Sequence, residues 1–98
     1  MEGIVFVKYV GACANIQNSK GEQIAKRTIV LTSKECRIGD SGAYAIDVDH
    51  VIDLLGDRAT NFSCAQGDWL VASITSTARE YNGSYFGENR LTRFCKLQ

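Results

Sequence analysis

The sequence predicts a mainly β protein, five strands closing into a small Greek-key barrel with one short helix between strands 3 and 4. Three observations carry that expectation. β-Branched and apolar residues gather in short runs, such as IVFV at 4–7 and IVL at 29–31. An Asn82-Gly83 pair joins two long strand-like segments, the strongest short-range signal of a hairpin. Between these regions, 47-DVDHVIDLLGD-57 places Val48, Val51, Ile52 and Leu55 at helical spacing with aspartates between them. With 98 residues, 45% hydrophobic and 22% charged, the chain suits one domain, 1–98, around a single modest core.

Each element has a local reason. Residues 2–10 (EGIVFVKYV) form the first strand, and the turn formers of 14-ANIQNSKGE-22 follow, with Ser19-Lys20-Gly21 as a tight turn. Residues 24–32 form the second strand, with Ile29 and Leu31 on one face and Lys26, Thr28 and Val30 on the other. Residues 33–42 read as a loop and 43–47 as a short third strand. The helix of 47–57 is capped by Asp47 or Asp49 and stopped by Gly56. Residues 58–68 read as loop, and 69–78 and 84–96 as the last two strands.

A two-residue turn at Asn82-Gly83 sets the register of that last hairpin. Tyr81 faces Ser84, Arg79 faces Phe86, Thr77 faces Glu88, Thr75 faces Arg90 and Ser73 faces Thr92. One face then collects Leu70, Ala72, Ile74, Ala78 and Leu91 for a core, and the other Trp69, Val71, Thr75, Arg79, Tyr81, Phe86, Glu88 and Arg90. Arg93 falls on the apolar face, so a bulge or the end of the sheet is expected near it. The element order is that of the oligonucleotide/oligosaccharide-binding (OB) fold, and an open α+β sheet with one covering helix is the competing architecture.

The stretch 67-GDWLVASITSTAREYNGSYFGENRL-91 resembles a small bacterial OB-fold family of unknown function, similar to single-stranded-DNA-binding proteins. The matching positions are Gly67-Asp68, Arg79-Glu80-Tyr81-Asn82-Gly83, Tyr85-Phe86 and Arg90, with residues 18–22 and the following strand looking similar as well. Where that family carries further tryptophans, this chain has Ile24 and Thr92. The resemblance implies an OB fold and a non-enzymatic role in binding single-stranded nucleic acid.

Such binding needs cations along the phosphates and aromatic faces for the bases. In OB folds the groove crosses the second and third strands, flanked by the loops after strands 1 and 4. The candidate nucleic-acid contacts are therefore Lys20, Lys26, Arg27, Tyr44, Arg79, Tyr81, Tyr85, Phe86 and Arg90. Each aromatic has an equal structural reading, because Arg79 over Phe86 is also ordinary cross-strand cation–π packing, and tyrosines are often half-buried in sheets. Trp69 and Val71 read as an oligomer or rim contact, so a homodimer or tetramer is expected. The alternative function is a protein-interaction or self-assembly module that uses the same barrel without nucleic acid.

Charge and motifs narrow the field. The net charge is zero, but residues 1–39 carry +3, residues 40–68 carry −5 and residues 69–98 carry +2. Very tight non-specific polyanion binding is thereby disfavoured, while a basic face remains available. No phosphate-loop or dinucleotide fingerprint, calcium-loop pattern or nucleophile elbow occurs, so neither an enzyme nor a cofactor is expected. Cys13, Cys36, Cys64 and Cys95 form no C-x-x-C pair and His50 is the only histidine, so no metal is expected and the cysteines read as reduced thiols. No signal peptide or membrane-length apolar run is evident, and a cytoplasmic location is expected.

Overall fold

The computed structural model describes residues 1–97, apart from the side chains of Arg79 and Tyr81. Its elements are β1 (Glu2–Val10), β2 (Ala14–Gln17), β3 (Gln23–Gly39), β4 (Gly42–Leu55), α1 (Asp57–Thr60), β5 (Trp69–Tyr81) and β6 (Ser84–Lys96). The strands lie in the order β1-β5-β6-β4-β3-β2, and a further β1–β3 pairing closes the sheet on itself. The result is an OB-type barrel of five strands with β2 added outside it and one short helix between β4 and β5. Every pairing is antiparallel except β4 with β6, which meet in parallel at the single bridge Ile52–Asn89.

Alternation explains which side chains fill the barrel. On β3, Ile29, Leu31 and Ser33 are buried, and the residues between them face outward. Val5 and Val7 from β1, Ile52 and Leu54 from β4, Leu70, Ala72 and Ile74 from β5, and Leu91 from β6 complete the core. The segment after β4 covers one side of the barrel with Ala59, Phe62 and Cys64, and the Phe62 ring lies 5.5 Å from that of Phe94. A fully buried aliphatic side chain of this size contributes about 1.5–3 kcal/mol, so these positions dominate stability.

Two expectations are corrected here. Residues 33–42 are not a loop, and 47–55 are not helical. β3 and β4 pair without interruption from Lys26 opposite Leu55 to Gly39 opposite Gly42. Along β4, Ile46, Val48, His50, Ile52 and Leu54 alternate with the more exposed Asp47, Asp49, Val51, Asp53 and Leu55. That period of two outweighs the helical stripe, two of whose members, Val51 and Leu55, are exposed. The helix is one turn, and it follows Gly56, whose φ of 63° suits a residue without Cβ.

The last hairpin keeps the expected register from Tyr81–Ser84 to Thr75–Arg90. Asn82 (φ 51°) and Gly83 (φ 80°) both adopt positive φ, as a type I′ turn requires. Beyond Ile74–Leu91 the pairing resumes at Ser73–Arg93, so Thr92 is the extra residue of a bulge close to where Arg93 demanded one. The Thr92 hydroxyl donates to the Ser73 carbonyl at 3.0 Å and holds the bulge. Ala78, expected in the core, is exposed, because this part of the hairpin has already left the barrel.

Candidate nucleic-acid interface

Two long ribbons project from the barrel. β3 and β5 both run antiparallel to β1, so the β3–β4 ribbon beyond Ser33 and the β5–β6 ribbon beyond Ile74 leave past the N-terminal end of β1. They account for the extents of 54 × 41 × 18 Å. Where they diverge, Asn89 ties them: its amide accepts from the Ser76 hydroxyl at 2.8 Å and donates to the Val51 carbonyl at 3.4 Å. The β2–β3 turn stands at the other end of β1, where Asn18 Oδ1 accepts from the backbone N–H of Lys20 and Glu22, each at 2.9 Å. Lys20 is exposed there, far from the ribbon tips.

The outer face of β3 and β4, where an OB groove is expected, carries paired charges. Lys34 meets Asp47 at 2.7 Å, Lys8 meets Asp49 at 2.6 Å and Lys26 meets Asp53 at 3.7 Å. The Thr32 and Thr28 hydroxyls donate to Asp49 and Asp53, each at 2.7 Å. The lysine and threonine hydrogen bonds hold the Asp49 carboxyl below its ordinary value. Solvent screens exposed pairs of this kind so that they add little stability, and their main effect is to leave this face close to neutral. The aspartates of the acidic midsection thus share a face with Lys26 instead of pointing away from it.

Arg27 is on the other side of the sheet. It alternates with Ile29 and Leu31, and its Nη1 donates to the Phe62 carbonyl at 3.3 Å while its Nε is buried without a hydrogen-bond partner. Tyr44 stands half-exposed on the β3–β4 ribbon opposite Arg37 and covers Gly39. Tyr85 and Phe86 are 73% and 55% exposed. As consecutive strand residues they face opposite sides of their ribbon. Phe86 shares its side with Glu88 and Arg90, whose Nε lies 3.7 Å from the Glu88 carboxylate. The backbones of Arg79 and Tyr81 pair with Phe86 and Ser84, and their side chains lie outside the described residues.

Trp69 and Val71 lie at the barrel end of β5. Trp69 is 51% exposed and tilts against Phe6 with ring centroids 5.1 Å apart. Pairing sets Ile4 beside Val71 and Phe6 beside Trp69, so the apolar surface continues onto β1. The expected contacts therefore separate into a ribbon group (Tyr85, Phe86, Arg90), a barrel-face group (Lys26 and its neighbours) and an apolar group around Trp69. Sequence reading missed the contributions of Ile4, Phe6 and Ile38, although the alternation on β1 and β3 marks them as outward-facing.

All four cysteines are free thiols. Burial pushes the Cys64 thiol up, with Asp68 adding to the effect, whereas Cys13, Cys36 and Cys95 are exposed. Among the described residues, no helix is long and apolar enough to cross a membrane, and no three potential metal ligands cluster.

This geometry defines an OB-type barrel with two projecting ribbons. No protein-family model and no curated protein matches the chain. Among solved structures it is similar to a deletion mutant of the single-stranded DNA binding protein from Thermus aquaticus, with a TM-score of 0.54 and 13% identity. The likeness covers 100% of this chain and 51% of that one, so this chain spans about half the length of the other. At that identity the likeness bears on the fold alone.

Proposed function

We propose that this chain is a non-enzymatic, cytoplasmic module that binds single-stranded nucleic acid, DNA in the first instance, with bases stacking on the β5–β6 ribbon. The observation that carries the reading is the exposure of Phe86 on the same side of the ribbon as Arg90, where among the described residues none past Ile74 and Leu91 is buried. A solvent-facing aromatic on a projecting strand offers an open π face on which a base of any identity can stack. The fold shared with a single-stranded DNA binding protein supports the choice of ligand, and so does the resemblance of the Arg79–Gly83 block to the small bacterial OB family. In this reading Tyr81 and Phe86 offer stacking surfaces, and Arg79 and Arg90 meet phosphates. Tyr85 and Tyr44 line the gap between the ribbons, while Lys26 and Lys20 extend the path across the barrel.

Because the barrel-face lysines already meet carboxylates, few counterions are released on binding. The expected salt slope is about 0.7 per phosphate contacted, summed over only a few contacts. Fluorescence anisotropy with labelled oligonucleotides at two salt concentrations tests the proposal. Saturable binding of single strands, weaker for duplex of the same sequence, is expected. Equal binding of both, or none at micromolar protein in low salt, overturns it. The second reading, a self-assembly module, is favoured by a different observation: the apolar surface around Trp69.

A further inference from the structure

Apart from nucleic acid, one face of the molecule displays both a projection and a recess. On the β3–β4 ribbon the unbroken register places Lys34, Cys36 and Ile38 of β3 on the outer face, with Ala43, Ala45 and Asp47 opposite them. Ile38, one residue before the ribbon's end at Gly39, is 91% exposed. Further along the same outer face a groove of about 590 Å³ is lined by Ile4, Phe6, Thr32, Lys34, Asp47 and Trp69. Its apolar walls remain open, with Ile4 58% exposed.

We propose that two copies of this chain associate face to face, the Ile38 end of each β3–β4 ribbon seating in the other copy's groove between Ile4, Phe6 and Trp69. Projection and groove lie on either side of the Lys34–Asp47 pair, which itself lines the groove. A two-fold axis passing near that pair carries each ribbon end over the opposite groove, and the contact closes as a dimer without leaving a site to propagate. Charge favours a second copy over a partner of one sign. The face presents one cation and one carboxylate 2.7 Å apart, so Lys34 of each copy can meet the partner's Asp47 as well as its own. Cys36, two residues from Ile38 on the same face, is covered by the same contact. The inference does not depend on nucleic-acid binding, since Phe86 and Arg90 lie on the other ribbon.

Sedimentation velocity under reducing conditions, across micromolar to submillimolar protein, is the test. A concentration-dependent dimer is expected, with Trp69 emission shifting to the blue and Cys36 alkylating more slowly as the dimer forms. Ile38→Asp at the exposed ribbon end, and Ile4→Lys in the groove, should each weaken the dimer at least ten-fold. Far-UV circular dichroism of both variants serves as the folding control. Mixing the two variants leaves one intact ribbon–groove contact, so the mixed dimer should be tighter than the homodimer of either variant. A monomer at the highest concentration overturns the proposal. So does a dimer that Ile38→Asp leaves unchanged, which would point to another face of the molecule.

Discussion

Arg27 and Phe86 show how differently two residues of the same binding hypothesis fare once placed. Alternation with Ile29 and Leu31 was legible in the sequence and already put residue 27 on the inward side, yet its charge drew it into the list of phosphate contacts. In the fold its guanidinium holds the Phe62 carbonyl. Arg27→Met should therefore lower the melting temperature, the lost hydrogen bond costing about 1 kcal/mol, while oligonucleotide affinity stays unchanged. The orphaned Nε is removed in the same substitution, which offsets part of the loss. Phe86→Ala is expected to do the opposite. Affinity for a single-stranded oligonucleotide should fall by about 1–3 kcal/mol, roughly five- to 150-fold, with no change in melting. Tyr85→Ala, on the other side of the ribbon, should have the smaller effect in the same anisotropy titration.

Among the elements, β6 was the most legible and β4 the least. The Asn82-Gly83 turn fixed the pairing of β5 with β6 by local chemistry, and the misplaced Arg93 announced the bulge. β4 misled because Val48, Val51, Ile52 and Leu55 satisfy helical spacing while Ile46, Val48, Ile52 and Leu54 satisfy the strand period. Only the partner strand decides between them, and a single sequence does not display that partner. Its aspartates have a consequence for acid stability. Lys8 and Thr32 hold Asp49 low, and the Ala65 backbone N–H, followed by Lys96, does the same for Asp68. A carboxylate with a depressed folded value stabilises above its unfolded pKa and loses that contribution as pH falls through the folded one. Melting temperature should thus drop below about pH 4, and Asp49→Asn should remove part of that dependence. The turn offers a separate test. Gly83→Val places a β-branched residue at φ 80°, a strain of about 1–2 kcal/mol. Since the described side chains at this end of the hairpin are all exposed, global melting should barely move while oligonucleotide affinity falls.

For the molecule as a whole, closure is uneven. β3–β4 and β5–β6 are long antiparallel pairs, whereas β4 and β6 share one bridge at Ile52–Asn89. Hydrogen exchange should reflect this, with the amides of Val5, Val7, Ile29 and Leu31 most protected and those near Asn82 and Ser41 exchanging fastest. Uniform protection out to the ribbon ends would contradict it. The charge pairs across the barrel face were invisible beforehand because they join residues as far apart as Lys8 and Asp49, and the recess beside Trp69 likewise depends on β1 lying next to β5. One consequence follows from the way both ribbons outrun the hydrophobic interior. A strand gains about 3.3 Å per residue and its side chains repeat every second residue. Inserting two residues in each leg would carry Phe86 or Ile38 some 7 Å farther out, with every later side chain still on its original side. Span is thus a quantity this scaffold can vary in steps while its interior stays the same, and the reach of each ribbon can be set independently of the other.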